Sequence, residues 1–155
     1  MTEIVKRSAR AILLYDEELV LIKRTKPGRA PYWVSVGGGV ENDDPTIEAA
    51  LHREVFEELG GRLDRAELVY LITDELEDGI GVQHIFAARL ESLDLAARTG
   101  TEFGKPERGG YEVVHVPFTA QAVRALNLMP PELAGFIAAN TEAIASVLGT
   151  PIRET

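Results

Sequence analysis

Apolar residues thicken along residues 4–15 into the nearly continuous run Ala11-Ile12-Leu13-Leu14, stop at Asp16-Glu17-Glu18, and resume at Leu19-Val20-Leu21-Ile22. Two short apolar runs flanking a polar turn predict paired strands. Lys26-Pro27-Gly28-Arg29-Ala30-Pro31 reads as a loop, because its prolines and glycine interrupt a sheet ladder. Residues 32–36 form a third short strand in this reading, and Gly37-Gly38-Gly39 a break in regular structure. Pro45 stands where it can open a helix. From residue 46 to 59 the period changes: Ile47, Leu51, Val55 and Leu59 recur every four positions, and Gly60-Gly61 stops them. Beyond this helix, residues 67–73 and 82–90 are strand-like, with Asp78-Gly79 favouring a hairpin between them. Residues 93–110 read as a long polar loop, 111–118 as a last strand, 120–126 as a short helix and 131–148 as a longer one.

Strands interspersed with a few helices predict an α/β domain with a mixed β-sheet and helices on its faces. The pattern is too rich in hairpins for a doubly wound parallel fold. A length of 155 residues and 16.9 kDa suits one domain over 1–155. With 45% apolar and 26% charged residues, the chain can bury a core of its own. Leu133, Phe136, Ile137, Ala143, Ile144, Val147 and Leu148 read as a helix face covering that core, with a homodimer contact as the other option.

Sixteen basic against 25 acidic residues leave a formal charge of −9, which repels nucleic-acid backbones and anionic membranes. No nucleic-acid or membrane partner is expected. A phosphorylated ligand would need divalent cations or a local basic patch. The absence of cysteine excludes disulfides, thiolate zinc sites and a cysteine nucleophile, and points to the cytoplasm. No stretch approaches the roughly 20 apolar residues of a membrane span, and Met1 to Arg10 lacks the apolar middle of a secretory signal, so the chain as written is expected to be the mature one.

The chemistry concentrates in residues 37–61, GGGVENDDPTIEAALHREVFEELGG. Glu54, Glu57 and Glu58 stand at i, i+3 and i+4, so a helix gathers their carboxylates on one side. Such a self-repelling cluster suits a hard cation such as Mg²⁺ or Mn²⁺; its bland reading is a solvated acidic face. The glycines upstream let backbone approach a ligand closely.

Arg53-Glu54-Val55-Phe56-Glu57-Glu58-Leu59-Gly60, preceded by Gly37-Gly38-Gly39-Val40-Glu41, resembles the Nudix box of the Nudix hydrolases, Gly-x5-Glu-x7-Arg-Glu-U-x-Glu-Glu-x-Gly-U, where U is a bulky aliphatic residue. Trp33 just before the glycines is similar to many members. The resemblance implies an α/β/α sandwich and hydrolysis of a nucleoside diphosphate derivative with Mg²⁺ or Mn²⁺. It places Gly38, Glu54, Glu57 and Glu58 at the metal-ligand positions and Arg53 among the catalytic residues, where it orients the carboxylates. Two departures stand out. Counted from Gly38, the first Glu falls on Asp44 with one extra residue before Arg53; counted back from Arg53, it falls on Pro45. The final aliphatic is Gly61.

Outside the box, Arg24, Lys26 and Arg29 with Trp33 could meet a nucleotide, or be ordinary surface groups. Glu102 and Glu107 are candidates for a general base. His52, His84 and His115 are too far apart for a metal pair, residues 100–106 miss the phosphate-loop spacing, and Ser35 lacks nucleophile-elbow glycines. The rival from another class is a non-catalytic nucleotide-binding regulatory module on the same fold. An isoprenoid diphosphate isomerase is disfavoured, since such family members resemble users of a catalytic cysteine.

Overall fold

A computed structural model of the chain describes residues 3–97, 99 and 109–149. Seven strands form one mixed sheet: β1 (Ile4–Tyr15), β2 (Glu18–Lys26), β3 (Arg29–Gly39), β4 (Arg62–Leu76), β5 (Gly79–Ser92), β6 (Gly110–Pro117) and β7 (Leu128–Met129). Their order is β4-β5-β1-β2-β3-β7; β6 pairs with β2, and β1 also pairs with β3. The β1–β5 and β3–β7 pairs are parallel, the others antiparallel. Helix α1 (Ile47–Leu59) packs on one face; α2 (Ala120–Arg124), α3 (Pro131–Ala139) and α4 (Thr141–Leu148) enclose the other. This is the expected α/β/α sandwich.

Alternation along each strand splits the core in two. Ala9, Ala11 and Leu13 of β1 meet Leu51, Val55 and Leu59 of α1, while Ile12 and Leu14 meet Leu133, Ile137, Ile144 and Leu148. Each such large aliphatic, fully buried, contributes about 1.5–3 kcal/mol. Leu133, Ile137, Ile144 and Leu148 are thus spent inside the chain, whereas Ala143 and Val147 of the expected stripe are exposed.

Several boundaries differ from the sequence reading. The loop expected at 26–31 shrinks to the turn Pro27-Gly28, with Lys26 paired to Arg29 and Gly28 at φ +72°, a conformation glycine adopts without cost. The glycines do not break regular structure: β3 runs through them, pairing Gly37, Gly38 and Gly39 with Arg10, Ala9 and Ser8 of β1. Pro45 precedes the helix, whose N-cap is Thr46 with its hydroxyl accepting from Ala49 N. Residues 131–148 form two helices, because the Asn140 amide donates to Phe136 O and ends α3. A 3-10 turn (Leu95–Ala97) lies in the expected long loop.

β4 is an edge strand, pairing only with β5 among the described residues. A bulge between Leu68 and Tyr70 brings Leu68 and Leu71 onto one face, opposite Phe86 and His84, at 52% and 51% exposure.

Candidate active site

The site is built where β3 crosses from β2 to β1 beneath α1. Gly37 has φ +147°, and a Cβ there would stand 2.2 Å from Ala9 O, so only glycine lets the strands meet. At Gly38 a Cβ would stand 2.6 Å from the Glu54 carboxyl carbon, so the carboxylate lies directly on the strand backbone.

Glu58 reaches the same place from one turn further along α1. It is 7% exposed, and its Oε1 accepts from Gly37 N at 3.2 Å. The Glu54 and Glu58 carboxyls thus converge on adjoining glycines, close enough for each to bias the other's ionisation. Burial pushes both above the ordinary carboxyl range, Glu58 furthest; Arg53 pulls Glu54 back while the charge of Glu57 adds to its rise, and the charge of Glu54 adds to the rise at Glu58, which Arg10 and the Gly37 N–H pull back. Two acids held together out of water suit a cation between them.

Glu57 is treated differently. Arg53 Nη1 donates to both its oxygens at 3.2 Å and to Glu54 Oε1 at 3.0 Å. The other guanidinium nitrogens face the acidic loop: Nε to Asp44 Oδ1 at 2.9 Å, and Nη2 to Asp44 Oδ2 at 2.8 Å and Gly39 O at 2.9 Å. Asp44 also accepts from Glu41 N at 2.8 Å. The bidentate Arg53 bond, then the Glu41 bond, lower the Asp44 pKa from 3.8 to about 2. Of the two alignments of the first acidic position, Asp44 is the one that gives Arg53 its carboxylate; Pro45 has none to offer. Aspartate and a longer loop together replace a glutamate.

Among the described residues no three His, Cys, Asp or Glu side chains form a preassembled metal cage. The donors nonetheless fit a hard cation: Glu54 and Glu58 converge on a backbone that a Cβ at Gly38 would obstruct, and Glu57 is the next acidic side chain, turned onto Arg53.

A protein-family model described as the NUDIX domain matches residues 5–132. The chain belongs to the Nudix hydrolase family. It is a hydrolase acting on phosphorus-containing anhydrides, in a family that acts on nucleoside diphosphate derivatives. No curated protein matches its sequence. Solved structures similar to this Nudix chain include a NUDIX hydrolase from Nitrosomonas europaea, 18% identical with TM-score 0.67 over 89% of this chain and 88% of that one. A MutT protein from Methanosarcina mazei Go1 is 17% identical, TM-score 0.63, covering 97% and 99%. The NUDIX domain of Shewanella oneidensis NrtR, complexed with ADP ribose, is 16% identical, TM-score 0.63, covering 92% and 90%. At these identities the likeness is one of fold.

The remaining candidates of the Nudix chain do not form one cluster. Arg24 lies over Tyr111 at 3.6 Å, with Tyr32 at 5.9 Å, and Arg29 lies over Tyr32 at 4.1 Å. Trp33, paired with Lys23, is on the opposite face, toward α2–α4. Glu102 and Glu107 lie outside the described residues. The sequence reading passed over Arg10, although a lone charge within the buried run of β1 was a visible signal.

Proposed function

We propose that this Nudix hydrolase is a metal-dependent pyrophosphohydrolase cleaving a phosphoanhydride bond in a nucleoside diphosphate derivative, a nucleotide or nucleotide sugar. The observation that carries the reading is the meeting of Glu54 and Glu58 against Gly37 and Gly38. Glu54, Glu57, Glu58 and the Gly38 carbonyl would hold Mg²⁺ or Mn²⁺, which when bound neutralises phosphate oxygens and lowers the pKa of a water. Arg53 keeps Glu54 and Glu57 aimed and ties them to Asp44 and Gly39. Glu57, the most exposed of the three glutamates, can accept the proton of an attacking water, a role also open to Glu102 or Glu107. Arg24, Arg29 and Trp33 are substrate contacts in this reading, supplying charge and a stacking surface. The neighbour described with ADP ribose supports a nucleoside diphosphate as the common substrate element. The cysteine-free sequence supports a cytoplasmic setting.

A phosphate-release screen over nucleotides and nucleotide sugars, coupled to a phosphatase, tests this. Turnover is expected with Mg²⁺ or Mn²⁺, to vanish with chelator, and to fall by about 10²-fold or more in Glu58→Gln. Metal-independent ligand binding without turnover across the panel would instead establish the non-catalytic module.

A further inference from the structure

We infer that Arg10 is a positioning residue for the carboxylate pair, holding from the opposite face of the sheet the Gly37–Gly38 backbone on which Glu58 and Glu54 are seated. The inference rests on the proposed function insofar as that pair serves hydrolysis.

Arg10 is the one charged residue in the stretch Ser8 to Leu14, and it points to the face of Ile12 and Leu14, away from α1. Its Nη1 donates to Ser35 O at 3.1 Å and reaches Gly37 O at 3.5 Å. Those carbonyls lie where β3 passes from pairing with β2, which ends at Ser35, to pairing with β1, which begins at Val36. The N–H of the same Gly37 donates to Glu58 Oε1. One residue is therefore gripped at its carbonyl by a guanidinium from β1 and at its N–H by a carboxylate from α1. Two side chains from opposite faces thus hold the backbone at the point where β3 changes partner.

Gly37 cannot hold this geometry alone, having no side chain and a backbone conformation that glycine alone readily adopts. Without Arg10 the two peptide units that meet at the Gly37 Cα, one carrying its N–H and one its carbonyl, are freer to turn. Such a turn withdraws the N–H from Glu58 and shifts Gly38, whose backbone is in contact with the Glu54 carboxylate. Arg10 makes no ion pair with either glutamate within 4 Å among the described residues, so beyond the longer-range pull of its charge on Glu58 its hold passes through the backbone.

Arg10→Met keeps length and removes the donors; Arg10→Lys restores one cationic donor; Ile12→Val, on the same strand and face, is a packing control. In the metal-free, substrate-free chain, the Gly37 amide should exchange about tenfold faster in Arg10→Met than in the native chain or Ile12→Val, with Arg10→Lys between. On the best substrate of the panel, kcat should fall about tenfold or more with little change in KM, again partly restored in Arg10→Lys. Exchange at Gly37 no faster than in Ile12→Val, an unchanged kcat, or an effect on KM alone would overturn the inference. Should Arg10→Met fail to fold, Arg10→Lys carries the same comparison. A native chain without turnover would strike down the proposed function instead, and Gly37 exchange would still decide whether Arg10 holds the peptide.

Discussion

All three guanidinium nitrogens of Arg53 are engaged, on Asp44, Gly39, Glu54 and Glu57. A planar fork can join a loop, a strand and two helix carboxylates at once; an ammonium cannot. Arg53→Lys, which conserves charge, should therefore lower kcat by about 10²-fold in steady-state assays, the scale of an ångström-sized misplacement. Asp44 gives a pH test. Its carboxyl ionises at a lower pH in the fold than in the open chain, so the stabilisation it supplies is complete above its ordinary pKa of 3.8 and is lost as pH falls through about 2. NMR titration should find the Asp44–Arg53 bond unchanged from pH 8 to 5, and a carboxyl still ionised at pH 3. The glutamates were legible because helical spacing alone fixes their side. That Glu57 turns to Arg53 while Glu54 and Glu58 settle on the strand was not, since rotamer choice depends on the glycine path beneath the helix, a tertiary neighbour that helical spacing does not register.

Among the elements, α1 was the easiest to read: a four-residue repeat buries Leu51, Val55 and Leu59, and Gly60 ends it at φ +61°. Its entry is held by one hydroxyl, so Thr46→Ala should cost about 1 kcal/mol in chemical denaturation, and Thr46→Ser much less. The glycine segment misled because three residues of poor strand propensity are recruited by tertiary pairing with β1, which propensity does not register. Asn140 misled in the other direction: the apolar pattern runs through it, while its side chain offers Phe136 O a competing partner. β7, at two residues, is too short to show any period. Substrate contacts read as one group from neighbouring positions separated for an elementary reason, as Arg24 and Trp33 project to opposite faces of paired strands.

For the whole molecule, the sandwich places the acidic centre on the α1 side and the C-terminal helices on the other. The charge of −9 has a further effect at this scale, because it sets how copies of the chain meet. The outer edge of β4, unpaired with any strand among the described residues, lies beside Leu68 and Leu71 and carries no proline or lysine to blunt it. Mutual repulsion guards that edge only as far as ions allow, about 30 Å at 0.01 M salt and 3 Å at 1 M. Light scattering should therefore rise with sodium chloride in concentrated samples, and Leu68→Lys should suppress the rise. A protein whose colloidal stability rests on long-range repulsion is best stored dilute and low in salt, whatever its melting temperature.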